Sequence, residues 1–323
     1  MNLTELALTV PGKASNDSKY RRLRRLFKEF KIDFSLVARF IAEQLPYEKF
    51  TLCLDRTNWK FGKLNINILC LAIVHQGVAI PILWMLLPKK GNSNTAERIQ
   101  LMERFIALFG IDRIECLLAD REFVGRNWAA YLIKNKVKFR IRIKENTKIS
   151  RIHGGVSKAR NFFRNLAPGE YAQLRGARTI WGEMVYVTGG RLFTGEYLLI
   201  MSPDEGTQEI LGDYKKRWEI ETLFKALKTK GFNLEETHLT NLDRIDKLLA
   251  TLAIAFYWAH CVGEWLQEQK PIPIKAHQRR ARSVFRYGLD HLRSILLHIT
   301  DKIDDLFHAV GLLSKGVSRV LTN

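Results

Sequence analysis

The chain has little of what most site chemistries require. Its four cysteines, Cys53, Cys70, Cys116 and Cys261, include no CxxC pair and stand in apolar surroundings. That excludes a disulfide framework and predicts buried free thiols in a reducing compartment. The histidines show no HxxxH or HExxH spacing, so zinc has no ligand set, and His260 beside Cys261 reads as core packing. There is no GxSxG, no P-loop and no GxGxxG, which removes the usual hydrolase and nucleotide-binding readings. No apolar run reaches the roughly 18 residues of a membrane span. The nearest, 66–74 and 78–87, are separated by His75-Gln76-Gly77 and predict two buried strands. The N-terminus has neither a basic start nor a long apolar stretch, so a cytoplasmic protein without a signal peptide is expected. Acidic residues are scarce: 33 Asp and Glu face 52 Lys and Arg, a net charge of +19. Such a surplus suits a polyanion, and with no span in view nucleic acid is a better partner than a membrane.

What is present is a globular composition, 46% hydrophobic and 26% charged over 323 residues, enough for one large domain or two to three small ones. Residues 17–45 predict two amphipathic helices. The first sets Lys19, Arg21, Arg22, Arg24, Arg25, Lys28 and Lys31 against Leu23, Leu26, Phe27 and Phe30. Residues 50–54 are an apolar run of strand length ending on Asp55, and 65–74 with 78–87 predict a hairpin through Gln76-Gly77. Asn94-Thr-Ala-Glu97 has the form of a capping box, opening a helix that stops at Gly110. Residues 114–119 form another short strand ending on an acid, Asp120. A helix over about 125–136 and a strand over 137–143 follow. Three strands, helix, strand, helix, strand is the plan of a ribonuclease H-like α/β fold. In that plan the first and fourth strands are neighbours, which would bring Asp55 and Asp120 together.

Glycines then punctuate short β-like runs from 145 to 205, predicting a β-rich insertion. Helix resumes near 207, continues through 240–268 and fills 275–320. The expected organisation is 1–48 as a basic helical region and candidate for DNA end recognition, 49–144 as the first part of the core, and 145–205 as the insertion. Residues 206–268 form the second part of the core and 269–323 a basic helical C-terminal region.

Residues 214–228 (YKKRWEIETLFKALK) contain no Pro or Gly and predict a helix. At about 100° per residue, Tyr214, Arg217, Glu221 and Lys228 fall in a stripe roughly 60° wide. One reading is a solvated face supported by the Glu221–Lys225 pair. The other is a face that grips phosphate beside a metal-binding carboxylate. Asp55, Asp120 and Glu221 each close or ride an element of the same predicted core. Converging carboxylates are costly without a cation, and hard oxygen ligands select Mg²⁺ or Mn²⁺. Two such ions about 3.5–4 Å apart serve phosphodiester hydrolysis and strand transfer.

On these residues the chain resembles the DDE transposases of bacterial insertion sequences. The first Asp of that family sits in a motif like Leu54-Asp55-Arg56-Thr57 and the second in one like Ala119-Asp120-Arg121-Glu122-Phe123. The Glu sits in Tyr-x2-Arg-x3-Glu-x6-Lys, met here by Tyr214, Arg217, Glu221 and Lys228. Arg-Glu-Phe follows the second Asp where many relatives have a nearby Gly. The family's β-rich insertion corresponds to 145–205, and the resemblance covers roughly 50–260. It implies Asp55, Asp120 and Glu221 as catalytic ligands of two Mg²⁺ (or Mn²⁺) ions, with Tyr214, Arg217 and Lys228 on phosphates near the cleaved end. It further implies cut-and-paste transposition: cleavage at the ends of an insertion element and transfer of the 3′-hydroxyl ends into target DNA. The implied partners are double-stranded DNA, as terminal inverted repeats and target, and a second copy in a homodimer on DNA, in the bacterial cytoplasm at the nucleoid. A metal-dependent nuclease on the same fold and a catalytically inactive DNA-binding protein are the competing functions. Of the other nearby acids, Asp112 belongs to the approach of its strand, and Glu122 reads as solvated or paired with a neighbouring arginine.

Residues 134–164 carry eleven Lys and Arg against one acid, Glu145. The alternation Lys138, Arg140, Arg142, Lys144 puts its cations on one side of a strand and predicts a basic DNA-binding stripe, a solubilising face being the alternative. Basic helices at 19–31 and 275–286 (Lys275, Arg279, Arg280, Arg282, Arg286) are further candidates. Trp181 is placed either to stack on a flipped base, as a Trp of the insertion does in relatives that make hairpin ends, or in the insertion's own small core.

Overall fold

The computed structural model describes residues 3–62, 64–276, 278 and 280–320. The helices are α1 (Leu3–Thr9), α2 (Asn16–Glu29), α3 (Phe34–Glu43), α4 (Thr95–Phe109), α5 (Arg126–Lys134), α6 (Ala159–Phe162), α7 (Thr207–Lys215), α8 (Glu219–Lys228), α9 (Leu242–Gln269), α10 (Val284–Leu297) and α11 (Ile303–Val320). The strands are β1 (Phe50–Phe61), β2 (Leu64–His75), β3 (Val78–Leu86), β4 (Ile114–Ala119), β5 (Phe139–Arg142), β6 (Lys148–Ser150), β7 (Val156–Lys158), β8 (Tyr171–Gln173), β9 (Arg178–Ile180), β10 (Glu183–Arg191) and β11 (Tyr197–Ser202). The chain divides into two compact units, residues 48–59 with 65–223, and residues 1–47 with 60–64 and 224–323.

The first unit is built on a mixed sheet in the order β3-β2-β1-β4-β5-β11-β10-β8, with β9 paired to β10. Its first five strands have the ribonuclease H-like order that the sequence predicts. β2 and β3 are buried along most of their length, as suits strands covered on both faces. The β2–β3 turn is Gln76-Gly77, with φ of 47° and 89°, the two left-handed residues a tight hairpin favours. α4 opens with the full Asn94–Glu97 capping box and ends at Gly110, whose φ is 85°; both devices match their sequence signals. β4 runs parallel to β1, with Leu52 opposite Leu117, Cys53 opposite Leu118 and Leu54 opposite Ala119.

Two points refine the sequence reading. β1 does not end at Asp55 but continues to Phe61; what ends at Leu54 is its parallel ladder with β4. Within 145–205, β11 pairs antiparallel with β5 and β10 with β11, so these strands extend the main sheet. Gly190 permits β10 to lie close to β8: a Cβ there would come 1.9 Å from the Tyr171 ring. Among the described residues β6 and β7 form a separate two-stranded sheet.

The second unit is helical, with α10 against α9. Gly288 makes that crossing close, since a Cβ on it would meet the Ala259 carbonyl oxygen at 1.8 Å. Among the described residues α9 is the one helix long and apolar enough to cross a membrane by length and composition, at a mean hydropathy of 1.3 over 18 residues, 67% of which are buried inside the protein. On α2, Phe27 is buried but Leu26 and Phe30 are exposed. The helix expected from 275 begins only at Val284, where the Ser283 side chain accepts from the Arg286 N–H as an N-cap. Upstream, Ile274 and Arg280 form an isolated bridge. Arg279 lies outside the described residues.

Candidate active site

Asp55 and Asp120 each follow the last paired residue of the parallel β1–β4 ladder, and neighbouring strands are about 4.8 Å apart. Asp55 is partly buried. Its Oδ1 accepts from the Arg56 N–H at 2.7 Å and its Oδ2 faces Arg217 Nη1 at 3.4 Å. Burial pushes the Asp55 carboxyl up to about 6, against the backbone hydrogen bond and Arg217, with Glu122 and Asp120 adding to the rise. Asp120 Oδ1 is buried and has no hydrogen-bond partner among the described residues.

Glu221 reaches the same place from α8. Its Oε1 accepts from Arg217 Nη2 at 2.8 Å, so one buried guanidinium holds carboxylates 166 positions apart in the chain (Asp55 and Glu221). Asp120 also acts electrostatically on Arg217. The buried Asp120 oxygen, the raised Asp55 carboxyl and the cation already drawn between Asp55 and Glu221 are what an oxygen-rich site for a divalent cation would show.

The helix expected over 214–228 is divided. α7 stops at Lys215, residues Lys216–Trp218 form a 3-10 turn, and α8 starts at Glu219. A 3-10 turn advances about 120° per residue, so these three residues rotate the stripe by roughly 60° from the uniform helix. Tyr214 faces inward. It is 5% exposed and packs with Ile200, Ile210 and Leu211. It lies under the Arg217 guanidinium at 5.9 Å from its ring centroid, and burial raises its phenol pKa. Tyr214 thus packs against Arg217, its neighbour in the expected phosphate-contacting set. Lys228 lies in the other unit, where its Nζ pairs with Glu235 Oε1 at 2.8 Å.

The stripe predicted on β5 also changes character. Its cations do share a face, but α7 and residues 203–206 cover it. Arg140 is fully buried and forms a two-pronged pair with Asp204, Nη2–Oδ2 being 2.9 Å, with Asp213 at 3.5 Å. Lys138 pairs with Glu209 at 3.1 Å and Asp204 at 3.8 Å, and Arg142 donates to the Tyr197 carbonyl. Lys144 alone of the four is exposed. The open basic surface lies further along, where Lys148, Arg151, Lys158, Arg160 and Arg164 are all exposed. Trp181 borders an open groove of about 700 Å³ that Lys144, Lys148 and Thr179 also line. With Gly182 it makes the two-residue β9–β10 turn, at φ of 53° and 94°. A left-handed Trp is uncommon and strained.

Sequence reading missed two parts of the site. Glu219 is turned to the β2–β3 hairpin, where its carboxylate accepts from the His75 N–H at 3.2 Å; burial pushes it up to about 7. Arg56 is the second. It pairs with Glu122, the arginine pairing that was one of the two expectations for that acid.

A ribonuclease H-like sheet with two aspartates side by side and a glutamate tied to them through one arginine defines the class of core. The chain belongs to the transposase DDE-domain family, whose model matches residues 50–258. Among solved structures it is similar to a piggyBac transposase in a synaptic complex with hairpin DNA, at 10% identity and a TM-score of 0.49, covering 98% of this chain and 66% of that one. No curated protein sequence matches it.

Proposed function

We propose that the protein is a DNA transposase that cleaves at the ends of an insertion element and joins the 3′-hydroxyl ends to target DNA. The observation that carries this reading is the Arg217 bridge between Asp55 and Glu221 beside the buried, unpartnered oxygen of Asp120. Asp55, Asp120 and Glu221 would hold Mg²⁺ or Mn²⁺, as a pair of ions. When bound, such ions activate the attacking water or hydroxyl and stabilise the leaving oxygen. Arg217 presents a planar fork suited to phosphate as well as carboxylate, and Tyr214 keeps its guanidinium at the carboxylates. Lys228 would contact the phosphates of the cut end. Lys144, Lys148, Arg151, Lys158, Arg160 and Arg164 would draw the duplex along β6–β7, and Trp181 would stack on an unpaired base beside them. Two copies would bring two ends together, on nucleoid DNA in the cytoplasm.

The test is incubation of the protein with a linear DNA carrying the inverted repeats that flank its gene, a target plasmid and Mg²⁺. Joined end–plasmid products are expected. Cleavage without joining would leave a nuclease, and a shifted but uncut DNA a binding protein.

A further inference from the structure

Arg56 is a cation next to a candidate metal ligand, in a protein expected to bind phosphates, yet it has no donor left for a phosphate. Its Nε donates to Glu122 Oε1 at 3.0 Å and its Nη2 to Glu122 Oε2 at 3.3 Å. Nη2 also meets Asn92 Oδ1 at 3.1 Å, while Nη1 meets Asn67 Oδ1 at 3.0 Å and Asn58 Oδ1 at 3.4 Å. A guanidinium has five N–H donors, and these acceptors engage all five. The acceptors are themselves anchored: Asn67 Nδ2 holds the Lys89 and Gly91 carbonyls. From the other side Arg98 donates to the Glu122 and Val124 carbonyls and to Ser93, and lies over the buried Phe123 ring at 5.1 Å. The turn carrying Asp120 is thereby bolted to the strand carrying Asp55, one residue from Asp55 and two from Asp120.

We infer that the Arg56–Glu122 pair is a positioning clamp that sets the separation of Asp55 and Asp120, so that a divalent cation binds tightly only while the clamp is closed. This rests on the metal-site reading above. Arg56 and Glu122 themselves touch neither metal nor DNA. Residues that orient metal ligands change affinity by about 10- to 100-fold when altered. Glu122→Gln keeps the shape and loses the charge-assisted fork. Arg56→Lys keeps the charge and loses the fork.

The experiment is a Mn²⁺ titration of the full chain without DNA, followed by the electron paramagnetic resonance signal of free Mn²⁺, together with melting temperatures in EDTA. Both variants are expected to bind Mn²⁺ about tenfold more weakly or worse while melting close to the parent in EDTA. Unchanged Mn²⁺ affinity would overturn the clamp. So would tighter binding by Arg56→Lys, which would make Glu122 a ligand that Arg56 restrains. Affinity lost only in step with the EDTA melting temperature would reduce the pair to a general stabilising contact. If both variants fail to fold, Asn92→Ala removes one acceptor and leaves the ion pair; it is expected to weaken Mn²⁺ binding by a smaller factor, and parental affinity would again overturn the proposal. A parent chain that binds no Mn²⁺ would defeat the metal-site reading itself, and the clamp with it.

Discussion

Asp55→Asn should make the metal-free protein more stable at neutral pH. Asp55 sits at about 6 in the folded chain against an ordinary 3.8, chiefly through burial. The folded state thus keeps a proton that the unfolded state has released, and stability falls as pH rises through this window. The loss is complete above about pH 6 and amounts to roughly 3 kcal/mol at about 1.4 kcal/mol per pH unit. Asparagine mimics the protonated side chain and has no such loss. Glu219, raised from 4.5 to about 7, imposes a similar fall on both proteins and cancels in the difference. At roughly 3 °C per kcal/mol for a unit of this size, the variant should melt some 5 °C or more above the parent at pH 7.5 in EDTA, and level with it near pH 4. Mg²⁺ should reverse the order, because a ligand stabilises only the protein that binds it. The assay is differential scanning fluorimetry across pH, with EDTA or Mg²⁺. Parallel curves at every pH would refute the account of Asp55, and equal Mg²⁺ stabilisation of both proteins would remove it from the metal site.

Glu221→Gln should abolish end cleavage and keep end binding in a gel shift; retained cutting would take Glu221 out of the site. Arg140→Met should lower stability by about 3 kcal/mol or more by stranding Asp204 and Asp213, with the DNA affinity of the folded fraction unchanged; a DNA-binding loss in a stably folded variant would restore Arg140 to the basic stripe. Replacing Lys148, Arg151 and Lys158 with alanine should reduce the slope of log affinity against log salt by about 2–3, and an unchanged slope would move the duplex elsewhere. Lys228→Ala should weaken complexes with terminal-repeat ends more than complexes with random DNA, and equal losses in competition would count against an end-specific role.

The paired aspartates were legible because each closes an apolar run of strand length and the order of elements dictates which strands are neighbours. The capping box at Asn94 and the turn at Gln76-Gly77 were legible because their signals are local. The break at Lys216–Trp218 was not, since α- and 3-10 helix draw on the same residue types, and the burial of Tyr214 went unread with it. Alternation on β5 correctly grouped Lys138, Arg140 and Arg142 on one face. Alternation does not say whether a face is open, and the acids that neutralise this one (Asp204, Glu209 and Asp213) arrive from α7 and the loop before it. The Arg56–Glu122 pair joins residues 66 positions apart, and no periodicity reports such a contact.

The central claim is that Asp55, Asp120 and Glu221 share a divalent cation. Crystals of the protein soaked in Mn²⁺ and measured at the manganese absorption edge test it most directly. The account predicts an anomalous peak bounded by those three carboxylates, with the Arg217 guanidinium drawn off Asp55. A protein that joins DNA ends in Mn²⁺ while its anomalous peak lies away from these side chains would contradict it.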